Sequence, residues 1–190
     1  MPGGASNTGA EWIKIEYAGS DPAEMDRLAS AHIPSKVVRY PLVRKGERFP
    51  FSNPDAEGFC LGQPASRAEA YAAGLEGLAL LERLAFETLE EIGAAVGEQI
   101  YVTGGGARSG IWLKVRASTL RRRLLRPAVS ETAMGAALLA AAGVWYDSLS
   151  QAAKAMVRVE AEFEPDERLA GVYEQKYAVF REEMQRRGYG

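Results

Sequence analysis

Ile100-Tyr101-Val102-Thr103-Gly104-Gly105-Gly106-Ala107-Arg108-Ser109-Gly110 is the stretch on which the fold turns. Its first four residues favour extended backbone and lie between Gly97 and Gly104, which predicts a short buried strand over 100–103. The residues from Gly110 to about 122, carrying Trp112 and Val115, predict a helix. Glycines at such a junction let the backbone take positive φ and bring N–H groups against an anion or a flat ring. The following helix adds the positive end of its dipole. The same triplet also serves as a tight turn with no ligand, so both readings stand at this level. No Gly-Lys-Ser/Thr follows, which excludes a P-loop. The dinucleotide fingerprint is nearly met by Gly104 and Gly106, but Ser109 holds the third glycine's place and Gly110 comes one residue late. Glu131 lies where a ribose-binding acid would stand, so a dinucleotide-binding module is a rival.

Downstream, Leu124–Val129 predicts a strand whose Pro127 marks an edge or an end. Glu131-Thr132-Ala133-Met134-Gly135-Ala136-Ala137-Leu138-Leu139-Ala140 predicts a small-residue helix from about 131 to 142, stopped by Gly143. Glycine inside a helix costs roughly 1 kcal/mol against alanine. Gly135 therefore reads as a point of close helix–sheet packing rather than of ligand contact. Ser148 and Gln151 cap a short helix, and a last helix over 166–187 aligns Leu169, Val172, Tyr173, Tyr177, Phe180 and Met184. Upstream, Ser66 and Glu69 form a capping box for a helix over 66–92, with Gly93 beyond its end. Asp21-Pro22-Ala23-Glu24 starts another helix that runs to about Ala31. Residues 37–40 and 58–61 are strand candidates. The order predicts α/β layer packing with 100–103 as a central strand and the 66–92 helix across the sheet. Residues 21–190 read as one domain and 1–20 as a lead-in segment.

The 190 residues carry 23 Lys+Arg against 25 Asp+Glu, a net charge of −2, which excludes a partner held by bulk charge. No nucleic acid is therefore expected as a partner. No apolar run approaches the ~20 residues of a membrane span. The longest such run, Ala133–Tyr146, is interrupted by Gly135 and Gly143. No basic-then-apolar stretch opens the chain, and Cys60 is the single cysteine, so a reducing, cytoplasmic setting is expected. One cysteine and one histidine, His32, leave neither a disulfide framework, nor a zinc set, nor a Ser/His/Asp or Cys/His pair. His32 reads as a helix-end cap. Arg121, Arg122, Arg123 and Arg126, with Lys114 and Arg116, read as a solvated helix end rather than a phosphate site. Within Gly46-Glu47-Arg48-Phe49-Pro50, an ion pair holding a loop is expected.

Taken together, Gly4-Ala5-Ser6-Asn7-Thr8-Gly9, the Gly46–Pro50 segment, the Ser66-capped helix with Leu75-Glu76-Gly77, Thr103–Ala107 with Trp112, the Glu131–Ala140 helix, and the closing Pro165, Tyr173 and Tyr177 resemble, in order, successive landmarks of the FGGY carbohydrate kinases. The look is nearest to the pentulose kinases of the ribulokinase and xylulokinase branches. The resemblance covers essentially the whole chain but only the C-terminal, nucleotide-binding half of the family. It implies an actin-like ATPase (ribonuclease H-like) fold, a mixed sheet flanked by helices with a helix at the C-terminus, and phosphate transfer from ATP to a sugar hydroxyl. By it, Gly4 and Thr8 approach the phosphates or ribose, while Gly104, Gly105, Gly106, Ala107, Ser109 and Gly110 surround the nucleotide. Gly110 falls where some members place an asparagine against adenine, and Arg121–Arg123 replace a turn where glycine and proline are common. The family's catalytic aspartate, most sugar contacts and the Mg2+ ligands belong to the other half. No catalytic or metal residue is thus assigned here, and the chain alone is expected to be inactive. Expected partners are ATP or ADP and, through the other half, a sugar, with no membrane; a homodimer is an allowed assembly. A stand-alone nucleotide-binding or scaffold protein derived from this domain is the alternative. A valine at Gly106 is expected to block the nucleotide and spare the fold.

Overall fold

Ser66 begins the longest element of the computed structural model, which describes residues 3–189 apart from the Thr132 side chain. Its Oγ accepts the Glu69 N–H at 3.0 Å, and the Glu69 carboxylate in turn accepts the N–H groups of Ala65 (2.7 Å) and Lys36 (3.0 Å). The helix α3, Arg67–Glu91, ends at Gly93, whose φ of 87° lets the Gly93 and Ala94 N–H groups close on Glu90 and Leu89. Residues 71–81 are buried on every side, so this half of α3 is the centre of the molecule.

Four bodies surround it. The antiparallel pair β1 (Val38–Tyr40) and β2 (Phe59–Leu61) lies against α3 at Gly77, where the Arg39 carbonyl occupies the place of a side chain. The last helix, α7 (Ala170–Arg186), inserts Tyr177, Phe180 and Met184 into the same cluster as Leu80, Leu81, Tyr40 and Phe59. On the other flank α1 (Glu11–Glu16) and α2 (Pro22–Ala29) pack Trp12, Tyr17, Met25 and Ala29 against Tyr71, Ala72 and Leu75. The fourth neighbour is α4 (Gly110–Leu120). The helix α1 was not predicted, because six residues with one buried side chain, Trp12, show no readable period.

A second sheet has the order β3-β4-β5, formed by Gln99–Tyr101, Arg123–Pro127 and Val159–Phe163. β3 runs parallel to β4, and β4 antiparallel to β5. Several expectations are corrected here. The strand expected over 100–103 ends at Tyr101 and lies at an edge; β4 is the middle strand. Tyr101 is 55 % exposed rather than buried. The helix covering this sheet is α4, through Leu113, Ala117 and Leu120, while α3 reaches the cluster only with Phe86. Pro127 does mark the strand's end, at a break in register after Arg126. β5 escaped notice because Glu160 and Glu162 are poor strand formers; they are held across the sheet by Arg126 (3.1 Å) and Arg123 (3.6 Å).

The remaining helices are α5 (Thr132–Val144) and α6 (Leu149–Met156). Gly143 does not stop α5, since its φ is not left-handed and the helix runs on to Val144. Nor is Gly135 a point of close packing: a Cβ there would meet nothing within 4 Å. At the end of α4, Arg121 adopts φ 53°, the left-handed cap that glycine usually supplies. α5 and its C-cap leave Leu139, Val144 and Trp145 exposed by 66 %, 74 % and 80 %, and β3 is an edge strand of its sheet.

Candidate functional site

The strand–glycine–helix junction is built as follows. Val102 leaves β3 with its N–H on the Leu125 carbonyl, and the Gly104 N–H reaches Ser130 at 3.0 Å. Gly104 has φ 81°, a value only glycine takes at no cost, and residues Gly105–Arg108 then form one 3-10 turn. Ser109 caps α4, its Oγ accepting the Trp112 N–H at 3.1 Å. Thr103, Gly104 and Gly105 are exposed, Gly106, Ser109 and Gly110 are half-buried, and the Ala107 methyl is fully inside the core with Val102 and Leu113. Ala107 can thus meet a ligand with its backbone alone. The three glycines also differ in what a side chain would do. At Gly105 it would enter open space, whereas at Gly106 it would lie 2.5 Å from the Trp112 ring.

Two cavities flank the junction. One, of about 710 Å³, lies between the ends of β3 and β4 and the helices α5 and α6, and is lined by Thr103, Glu131, Met134, Lys154 and Arg158. The other, of about 1060 Å³, lies between α2, α4 and β5 and is lined by Asp26, Gly110, Ile111, Lys114 and Phe163. Among the described residues no three His, Cys, Asp or Glu side chains gather as a metal set. Three of the arginines near α4 are paired with carboxylates: Arg116 meets Glu82 at 2.6 Å, Arg122 meets Glu90 at 2.5 Å, and Arg123 meets Glu164 at 2.6 Å.

The loop over residues 3–9 is held elsewhere, by Glu47. This carboxylate is 3 % exposed and accepts from Ser6 Oγ (2.8 Å), the Asn7 N–H (2.6 Å), Thr8 Oγ1 (2.7 Å), the Tyr40 hydroxyl (2.9 Å) and the Arg48 N–H (2.9 Å). The expected Glu47–Arg48 ion pair is absent: Arg48 Nε donates to the Ala5 carbonyl instead. The Thr8 side chain is therefore buried and engaged, and Gly4 is glycine because a Cβ would run into the Phe49 ring. Both loops are nevertheless anchored on one cluster, since Trp12 follows the first and Ile111 and Trp112 follow the second.

Burial alone would raise the Glu47 pKa, but its hydroxyl and N–H donors outweigh burial and hold it below the ordinary 4.5. A depressed carboxylate contributes stability above its unfolded pKa and loses it as pH falls through the folded one. On acidification below 4.5 the amides of Asn7 and Arg48 should lose protection before those of α3. Amide exchange against pH measures this; simultaneous loss in both regions would count against a local lock.

A family model for the FGGY family of carbohydrate kinases, C-terminal domain, matches residues 5–144. This chain belongs to that family. It is 26 % identical over 182 residues to a xylulose kinase of Staphylococcus epidermidis, covering 93 % of the chain and 36 % of that protein. A xylulose kinase of Bacillus subtilis is 28 % identical over 167 residues, or 85 % of the chain and 33 % of the relative. In fold, the chain superposes on the ligand-bound xylulose kinase of Lactobacillus acidophilus with a TM-score of 0.83 at 17 % identity, covering 95 % of this chain and 38 % of that one. The FGGY chain described here thus spans little more than a third of the relatives it matches. Its architecture is the actin-like ATPase fold of that family. Of the carboxylates that the structure brings to the two loops, Glu47 is read in the sequence only as half of an expected ion pair, and nothing in the sequence singles out Asp26.

Proposed function

We propose that this chain is the ATP-binding half of a carbohydrate kinase that transfers the γ-phosphate of ATP to a sugar hydroxyl, a pentulose such as ribulose or xylulose. The observation that carries it is the Gly104–Gly106 junction between parallel strands and the N-terminus of α4, in a chain of the FGGY family. Open space at Gly105 lets backbone approach a nucleotide. The xylulose kinases among the relatives favour a pentulose. Bound Mg2+ would neutralise phosphate charge; this half contributes backbone dipoles and shape.

The free edge of β3 and the bare apolar side of α5 fit a second kinase half better than a second copy of this chain. A symmetric pairing of two edges would offer a ladder of only three residues on each side. Carboxylates for the metal and a base for the sugar hydroxyl would come from that half. Alone, the chain positions one side of the cleft and should not turn over. A dinucleotide module is disfavoured by the family match and by Ser109, which is occupied as a helix cap.

The structure redirects the mutational test from Gly106 to Gly105. A valine at Gly106 would press on Trp112, so lost binding there would be ambiguous. At Gly105 an added Cβ has nothing within 4 Å, so Gly105→Val should spare the fold and weaken ADP binding about ten-fold or more, roughly 1.4 kcal/mol per factor of ten. Calorimetric titration beside a circular-dichroism melt decides it. Equal ADP affinity in both proteins would leave the glycine loop a turn and end the assignment.

A further inference from the structure

Glu47 divides its five donors between its two oxygens. Oε1 accepts the backbone N–H groups of Asn7 (2.6 Å) and Arg48 (2.9 Å), and Oε2 accepts the hydroxyls of Ser6 (2.8 Å), Thr8 (2.7 Å) and Tyr40 (2.9 Å). All five are neutral groups. Among the described residues no cation pairs with this carboxylate: Arg48 Nε is on the Ala5 carbonyl at 2.9 Å, Lys45 pairs with Asp55, and Arg44 pairs with Glu11. A buried charge without a counter-charge needs its hydrogen bonds, so each of these donors is firmly held.

The consequence is a sorting of polarity along residues 6–8. Beside the groups on Glu47, the Thr8 N–H is on Ser6 Oγ at 2.9 Å and the Asn7 side-chain amide donates to the Gly46 carbonyl at 3.1 Å. Apart from the Ser6 N–H, every donor of these three residues is spent inside the protein. Among the described residues nothing donates to the Ser6 and Asn7 carbonyls or to Asn7 Oδ1, and Asn7 is exposed. Free acceptors on adjacent residues repel phosphate oxygens, which also only accept, and suit hydroxyls, which donate. The cation of this loop, Arg48, stands at Ala5 instead. The loop leads into Trp12, which shares a cluster with Ile111 and Trp112, the residues just after the glycine junction.

We infer that Glu47 is a positioning residue of this site: it draws the donors of residues 6–8 inward and so makes the loop an acceptor surface for the vicinal hydroxyls of a ligand. The inference rests on the nucleotide reading above, in which those hydroxyls are the ribose 2′ and 3′ groups. A pentulose carries the same chemistry and is the other source. Glu47 itself is buried and touches no ligand; it acts through the loop that it shapes.

The test is calorimetric titration of the full chain with ADP, with 2′,3′-dideoxyadenosine diphosphate and with xylulose, beside circular-dichroism melts. Wild type should bind ADP about five-fold or more tightly than the dideoxy form, the effect of one or two neutral hydrogen bonds. Glu47→Ala should abolish that preference, whereas a merely structural role would weaken both nucleotides alike and keep the ratio. Thr8→Val keeps the side-chain volume, removes one donor from the carboxylate and should lower the preference, which decides the matter should Glu47→Ala fail to fold. Binding of xylulose that these variants weaken would assign the hydroxyls to the sugar. Equal binding of the two nucleotides to wild type with no binding of xylulose, or a preference unchanged in the folded variants, overturns the inference and leaves the nucleotide site standing. Failure of wild type to bind any of the three ligands overturns both.

Discussion

Lys176→Met is expected to lower the stability of this chain by about 3–5 kcal/mol, the cost of leaving a buried charge without its partner. Lys176 reaches from α7 into the core, where its Nζ donates to Glu76 Oε2 at 2.5 Å, to the Ser35 carbonyl at 2.8 Å and to the Val37 carbonyl at 2.9 Å. Glu76 is 1 % exposed, and its other oxygen accepts the Ser35 N–H at 3.0 Å and the Tyr173 hydroxyl at 3.3 Å. This one cluster ties α3, the segment before β1 and α7, so its loss should act on the whole melt. For a chain of this size the shift in Tm is on the order of 10 °C. Replacing both partners, Lys176→Met with Glu76→Met, should recover most of the loss, because no unpaired charge then remains. Circular-dichroism melts of the single and double variants measure both effects. A single variant melting within a degree or two of wild type would show that the pair is not a structural tie.

Gly77→Ala should be nearly as damaging, at about 3 kcal/mol, the upper range for overpacking a core. The added methyl would run into the Arg39 carbonyl oxygen and come within 3.0 Å of Pro41 Cδ. Neither obstacle is the end of a flexible side chain, so either α3 or β1 must move. Gly135→Ala supplies the contrast: it lies inside α5 with nothing within 4 Å, and it should gain up to about 1 kcal/mol from helix propensity. Urea unfolding of the two variants separates them by sign. If Gly77→Ala also gained stability, the tight α3–β1 approach would not exist in solution.

These contrasts show how unevenly the chain announces its structure. The helix starts read from capping residues were legible: Asp21, Ser66 and Ser148 each accept a backbone N–H two or three residues ahead, a contact that local sequence contains in full, whereas the Ser109 cap emerged only in the structure. The end of α3 at Gly93 was legible for the same reason. The family was legible too, because its landmarks are short segments whose order survives in the chain. The glycine junction could be placed between a strand and a helix from sequence, as Gly104 and the start of α4 at Gly110 show.

What tertiary structure alone decided depends on partners far away in the chain. Glu47 meets donors about forty residues upstream, and Lys176 meets Glu76 a hundred residues away. Gly77 and Gly135 look alike in sequence, yet one faces a backbone carbonyl and the other open space. Gly105 and Gly106 are adjacent, and only the position of Trp112 separates a free position from a filled one. Edge or centre in the β3-β4-β5 sheet, and the survival of a strand as acidic as β5, are fixed by neighbours rather than by a strand's own residues. Periodicity and caps act within one turn of backbone and can be read along the chain. Burial, close approach and charge pairing arise only once separate segments are packed, so they are written in space.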